Sequence, residues 1–267
     1  MTSSETRPPR EMSATWQGTE VLISVLHSRA AVGTQVLVKS RKSGALLLVD
    51  VGDGCLRDLI ERGVDLRSLK GVLFTHTHYD HCGGLFSLLS FLTVVCRRHE
   101  CLPVFTPPVC DEVEGQLELW QDVFAHRRTF DAEHHRLSLG ARSNVDDFTF
   151  TVLEAGHPSS EATSRERDGV VTVPPSGERG FIYLVQVGRE RILVCLDSGV
   201  TGELQRLVRS ADLVLLEATL SSESRRLAQI HMTEDEARAL ARDASSYLLV
   251  HRPIDSQYFS VLTSRDS

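Results

Sequence analysis

Thr75-His76-Thr77-His78-Tyr79-Asp80-His81-Cys82-Gly83-Gly84 follows directly on the apolar run 71–74 and places three imidazoles and a carboxylate within six residues. Neutral imidazole and carboxylate oxygen suit zinc and its first-row neighbours, and a catalytic site must keep a coordination position open for water. The H-x-H-x-D-H spacing carries the specificity, since a lone histidine is more often an ordinary surface or core residue than a ligand. Donors this crowded predict a metal site, and one for two ions.

Two ions need more ligands than residues 76–81 supply, and the chain offers them just after other apolar runs. His157 follows the run 150–153, Asp197 follows 192–196, and His251 follows 247–250. Taken alone, Asp197 before Ser198-Gly199 is an ordinary turn or helix cap. Taken with the cluster, the three form a set of donors at strand ends.

Short apolar runs bounded by turn signals predict strands at 21–25, 35–38, 45–51, 71–74, 148–153, 181–187, 191–196, 213–216 and 247–250. Helical spacing covers 56–61, 84–92, 113–124, 201–209 and 233–242. Leu46-Leu47-Leu48-Val49 and Ile192-Leu193-Val194 are apolar on both faces, as expected of sheets covered on both sides. The fold class predicted is α/β, a four-layer αββα sandwich. The segment 158–179, rich in Ser, Gly, Pro and charge, reads as a loop or flexible arm between two strands.

The chain has 267 residues, 41% hydrophobic and 24% charged, consistent with one globular domain over 19–267 behind a disordered tail at 1–18. No apolar run approaches the roughly 18 residues that span a bilayer, and the N-terminus has no apolar signal core, so no membrane partner is expected. Six cysteines at irregular intervals do not form a disulfide framework, which points to a reducing, cytoplasmic compartment. Cys96, His99, Cys101 and Cys110 could close a small structural zinc site, though their spacing fits no common pattern. A net charge of −7 argues against whole-surface attraction to nucleic acid, while leaving room for a local cationic patch. His27, His99, His126, His134 and His135 read as solvated surface residues.

The order of donors resembles the metallo-β-lactamase superfamily of hydrolases, and the flanking words are most similar to ribonuclease Z, the tRNA 3′-endonuclease. The similar pieces run from about Leu46 to Tyr258: LLLVDVGDG, GVLFTHTHYDHCGGL, LPVFTPP, the His157 segment, CLDSG, ADLVLLEATL, HMTEDEARALA and LLVHRPIDSQY. The resemblance implies two divalent ions, zinc with manganese or iron as alternatives, one held by His76, His78 and His157 and the other by Asp80, His81 and His251. Asp197 would bridge them, and Asp80 would also orient the attacking water. It implies a phosphodiester substrate such as tRNA, and a homodimer. His231, just before the Thr233-x-x-Glu236 capping box, becomes a catalytic acid or a phosphate contact at a helix N-terminus, with Glu217 orienting it. Asp50, Gly52, Asp53 and Gly54 would shape the turn beneath the ions, and Tyr79 and Cys82 lie within the metal loop.

The chain departs from that family pattern in three places. The glycine-rich turn expected near the first strands is replaced by Leu26-His27-Ser28-Arg29-Ala30-Ala31-Val32-Gly33, and His251 is followed by Arg252-Pro253. Only 39 residues separate His157 from Asp197, where ribonuclease Z carries its long basic tRNA-gripping arm. Arg165, Arg167 and Arg179 in that stretch are offset by Glu161, Glu166, Asp168 and Glu178. The first expectation is a ribonuclease Z-like endonuclease. The alternatives are a hydrolase of cyclic phosphodiesters or other small metabolites, favoured by the short arm and acidic charge, and a non-catalytic metal-binding interaction protein.

Overall fold

The structure, a computed structural model of the chain, describes residues 10–11, 14–221 and 226–253. The chain begins with β1 (Arg10–Glu11) and β2 (Thr15–Gln17), then lays down β3 (Val21–Arg29), β4 (Gly33–Ser40), β5 (Leu46–Val49), α1 (Cys55–Glu61), β6 (Leu69–Leu73), α2 (Tyr79–Cys82), α3 (Leu85–Val94), β7 (Leu102–Thr106), α4 (Asp111–Val123) and β8 (Ala132–Arg136). The second half follows with β9 (Arg142–Val145), β10 (Phe148–Pro158), β11 (Arg165–Arg167), β12 (Val170–Thr172), β13 (Arg179–Val187), β14 (Glu190–Cys195), α5 (Gly202–Val208), β15 (Leu213–Glu217), α6 (Glu234–Ala241) and β16 (Ser246–Val250).

One sheet has the order β2-β3-β4-β5-β6-β7-β8 and the other β1-β16-β15-β14-β13-β10-β9, each with seven strands. Each sheet is antiparallel through hairpins on one side and parallel on the other. The parallel pairs need crossovers, and the helices supply them. Strand alternation then sorts the apolar residues into layers. Leu47, Val49, Ile192 and Val194 face the shared inner core with Phe148, Phe150 and Tyr183. Leu46 and Leu48 turn outward to Leu85, Leu88, Leu92 and Trp120, while Leu193 and Cys195 turn outward to Leu204, Val208, Ala237 and Ala241. This arrangement is the expected αββα sandwich, and it explains why those strands carry no polar face.

Two boundaries differ from expectation. Residues 15–17, placed in the tail, form β2 against β3, with Trp16 buried in the inner core, and residues 10–11 pair with β16. A single apolar ring is enough to anchor a three-residue strand at a sheet edge. Residues 1–9, like the Tyr258 segment, lie outside the described residues. The 158–179 loop holds a 3-10 turn at Glu161–Thr163 and the β11–β12 hairpin.

Candidate metal centre

Every predicted ligand sits where a strand gives out. His76 and His78 follow β6, Asp80 and His81 lie in α2, His157 ends β10, Asp197 comes two residues after β14, and His251 follows β16. The first sheet thus provides His76, His78, Asp80 and His81, and the second provides His157, Asp197 and His251. The metal loop is held from below by Asp50, which adopts a left-handed backbone (φ 60°). Its carboxylate accepts the Thr75 backbone N–H at 2.7 Å and the Thr75 hydroxyl at 2.6 Å, and lies 2.7 Å from His81 Nδ1. Asp50 therefore does more than shape a turn. It fixes the His81 ring so that Nε2 faces the centre.

The donors gather into sets whose ligand atoms lie within 4.8 Å of one another: His76, His78 and His157; Asp80, His81 and His251; and His157, Asp197 and His231. Asp197 stands between the first two, with Oδ1 3.3 Å from His81 Nε2 and 3.4 Å from His251 Nδ1, and Oδ2 3.9 Å from His76 Nε2 and 3.8 Å from His157 Nε2. Asp80 Oδ2 is 3.3 Å from His251 Nε2 and also accepts the Ala31 backbone N–H at 2.8 Å. His76 Nε2, His78 Nε2 and Asp197 Oδ1 are buried and make no hydrogen bond. Orphaned imidazole and carboxylate atoms converging on one point are costly in a protein interior unless an ion takes them up. The residues fit divalent metal.

For His76 and His157 the electrostatics favour ligation. Burial, reinforced by neighbouring imidazoles, holds His76 and His157 well below the usual histidine range, in the neutral form that ligates. Burial pushes Asp197 up, but the charges of His251 and His81 outweigh it and hold the carboxyl well below its ordinary value.

His231 lies beside this group with Nδ1 3.0 Å from Glu217 Oε2 and 3.7 Å from Asp197 Oδ2. Burial opposes its charge, yet the adjacent Glu217 carboxylate pushes it up to about 9. Glu217 is fully buried at the end of β15 and accepts the Ser198 backbone N–H and the Thr219 hydroxyl, each at 2.5 Å. The start of α6 beside His231 carries the expected capping box. The Glu236 N–H donates to the Thr233 hydroxyl and the Thr233 N–H to the Glu236 carboxylate, and Glu234, Asp235 and Glu236 occupy the first turn.

Thr219 and Glu112 were not singled out in the sequence. The Thr219 hydroxyl joins Glu217 to His251 Nδ1 at 2.8 Å, and its only sequence signal is the Glu217-Ala218-Thr219 word. Glu112, in the first turn of α4, accepts the Thr77 hydroxyl at 2.5 Å, and the Ser160 hydroxyl and the Glu161 N–H at 3.0 Å each. It ties the His76–His78 loop to the segment after His157. Tyr79 is exposed and reaches the Ala31 carbonyl, while Cys82 is buried behind the loop with Sγ 3.2 Å from the Thr77 carbonyl.

The four-residue zinc site does not form. Cys110 instead lies near Glu114 and His134, with Arg136 on the same glutamate. His134, read as solvated, is half-buried and held 2.8 Å from the Thr106 hydroxyl.

A cavity of about 330 Å³ opens over the ligands, bordered by Tyr79, Glu161, Val171, Arg226 and Ile230. Residues 48–251 match the family model described as beta-lactamase superfamily domain. The chain is 28% identical to a ribonuclease Z of Bradyrhizobium sp. (strain ORS 278), across 80% of this chain and 82% of that protein. Its fold is shared with the metallo-beta-lactamase fold protein YhfI of Bacillus subtilis (TM-score 0.68, 19% identity, covering 90% and 89% of the two chains). It is also shared with the short form of human tRNase Z (TM-score 0.66, 18% identity, covering 86% and 92%). The strand-end donors, the αββα layers and a match across most of the chain converge: this protein belongs to the beta-lactamase superfamily domain family.

Proposed function

We propose that the protein is a metal-dependent phosphodiester hydrolase of the ribonuclease Z kind, cutting the 3′ trailer from precursor tRNA. The observation that carries this reading is Asp197 standing between two complete ligand sets, with His231 and its Glu217 partner alongside. His76, His78 and His157 would hold one divalent ion and Asp80, His81 and His251 the other, with Asp197 shared and zinc the preferred metal. When bound, such a pair supplies an activated water and a clamp for phosphoryl oxygens.

The remaining chemistry belongs to side chains of this chain. Glu217 engages His231 Nδ1, which leaves Nε2 as the ring atom for substrate and keeps the ring protonated at neutral pH. His231 can therefore give a proton to the departing alkoxide. Asp80, fixed by the Ala31 N–H and beside His251, orients the attacking water. The ribonuclease Z relatives support the tRNA substrate, and a cytoplasmic homodimer is part of the same proposal.

The test is cleavage of a precursor tRNA carrying a 3′ trailer by the metal-loaded protein, with His231→Ala as control. Cleavage next to the discriminator base, lost in the variant, is expected. The second reading, hydrolysis of a small phosphodiester, is favoured by the arm. Arg165 pairs with Glu178, Arg167 with Asp168 and Arg179 with Glu154, so the positive charge of the arm is offset by its own carboxylates. Intact precursor alongside turnover of a small phosphodiester would establish that reading instead.

A further inference from the structure

The first turn of α4 and the edge strand β8 bring a thiol, a carboxylate and an imidazole to one point. Cys110 caps the start of α4 and Glu114 follows four residues later, so the two share a face of the helix. His134 stands on β8 opposite Val104 of β7, and Arg136 comes two residues further along the same face of the strand. Cys110 Sγ lies 3.5 Å from Glu114 Oε1 and 3.7 Å from His134 Nε2, and Glu114 Oε1 lies 3.7 Å from His134 Nδ1. One ligand atom from each residue falls within 4.8 Å of the others. These are not the partners that proximity along the chain suggests for Cys110.

Donors around a tetrahedral zinc ion, at about 2.3 Å for sulfur and about 2.0–2.1 Å for nitrogen or oxygen, stand about 3.3–3.6 Å from one another. The separations from Cys110 are close to that spacing, so small side-chain rotations complete the set. The Thr106 hydroxyl lies 3.3 Å from Cys110 Sγ and 2.8 Å from His134 Nε2, which holds both donors in place. Burial keeps His134 in the neutral form that ligates and keeps the Cys110 thiol protonated, so an entering ion displaces the thiol proton to solvent. The spot already accommodates positive charge, because the Arg136 guanidinium pairs with the Glu114 carboxylate. The Arg136 side chain is 57% exposed, and it can turn into water when a dication takes its place.

We infer that Cys110, Glu114 and His134 form a second metal site, which takes one thiolate-binding divalent ion of the zinc class with water in the fourth position. The site is separate from the strand-end centre, whose donor sets described above combine imidazole and carboxylate alone, and it is independent of the nuclease reading. Thiolate, imidazole and carboxylate together suit zinc and cobalt better than magnesium or calcium, which prefer oxygen throughout. An ion here clamps α4 to β8. Glu112 lies between Cys110 and Glu114 in the chain and joins Thr77 to Ser160, so the clamp braces the helix that supports the His76–His78 loop.

The test is titration of the reduced full chain with Co²⁺, followed by absorption spectroscopy. Sulfur is the reporter, since a thiolate-to-cobalt charge-transfer band in the near ultraviolet needs a cysteine ligand and the imidazole and carboxylate donors of the strand-end centre do not give one. The wild-type chain is expected to show the band and to bind one more ion than Cys110→Ser, which should lack it. His134→Gln should weaken the ion that gives the band by more than the roughly tenfold that loss of an outer-shell partner costs. Arg136→Gln, which removes the competing guanidinium, should tighten the same ion by about two- to fivefold, the worth of an exposed ion pair. Melting temperature reports whether each variant is folded, and His134→Gln, at a half-buried position on an edge strand, carries the test alone if Cys110→Ser does not fold. No band in the wild-type chain would overturn the inference, as would a band that survives in folded Cys110→Ser or keeps its affinity in His134→Gln.

Discussion

His231 gains its charge from one neighbour, so its behaviour can be traced to Glu217. Its pKa in the folded chain, about 9, lies above the ordinary histidine value of 6.5, so the pair contributes stability in full below pH 6.5 and loses it as pH rises through 9. Glu217→Gln removes the carboxylate charge and returns His231 toward the lower value. The alkaline limb of the kcat profile should then move to lower pH, and a pH–rate series on the wild type and the variant checks it. His231→Ala should reduce kcat by on the order of 100-fold or more while metal content stays constant. Asp50→Asn removes no ligand but loosens the ring of His81, which is one. Metal affinity should fall by roughly 10–100-fold in competition against a chelator. These two acidic residues were legible in the sequence to different degrees. Glu217 stands in a recognisable word beside Thr219, whereas the reach of Asp50 to His81 spans 31 positions and exists only after folding.

At the scale of elements, the ligands depend on how closely strands and turns approach. The turn after β5 runs against α2 and β4 so tightly that a Cβ on Gly52 would overlap the Asp80 carbonyl and the Thr34 backbone nitrogen. Gly52→Ala should therefore shift the metal loop and cost about 1–3 kcal/mol, measurable by chemical denaturation together with loss of bound metal. Several strands around the site were readable from apolar runs of four, as 213–216 and 247–250 illustrate, and β10 from the alternation of Phe148, Phe150 and Val152. β8 (Ala-Glu-His-His-Arg) and β11 (Arg-Glu-Arg) were not, since edge and hairpin strands carry charge on exposed positions and lose the apolar signal. All five helices read from spacing are present, with ends displaced by a residue or two as fraying and caps dictate. The hairpin β11–β12 is held by its surroundings: the Val171 N–H donates to the Arg226 carbonyl at 2.7 Å, and Glu166 pairs with Arg226. No local pattern announces a contact of that kind.

For the whole molecule, the four carboxylates buried among the described residues (Asp50, Asp80, Asp197 and Glu217) lie together at one end of the sandwich. Bound cations would relieve them. At ion concentrations of 100 times Kd, the native state gains about 2.7 kcal/mol by mass action. Chelation should accordingly lower the melting temperature by roughly 5–10 °C for a chain of this size, a shift that calorimetry with and without chelator would record. The layer order was legible because strands apolar on both faces demand cover on both sides, but the pairing of particular ligands across the two sheets is a product of assembly.

That division of ligands between the sheets has a kinetic consequence. Neither half of the sandwich can open at this end without parting His76, His78 and His81 from His157, Asp197 and His251. An ion seated there acts as a rivet through both halves. Backbone amides of β6, β10, β14 and β16 should then slow together in hydrogen exchange when metal is added, and their common opening rate should set the rate at which metal escapes.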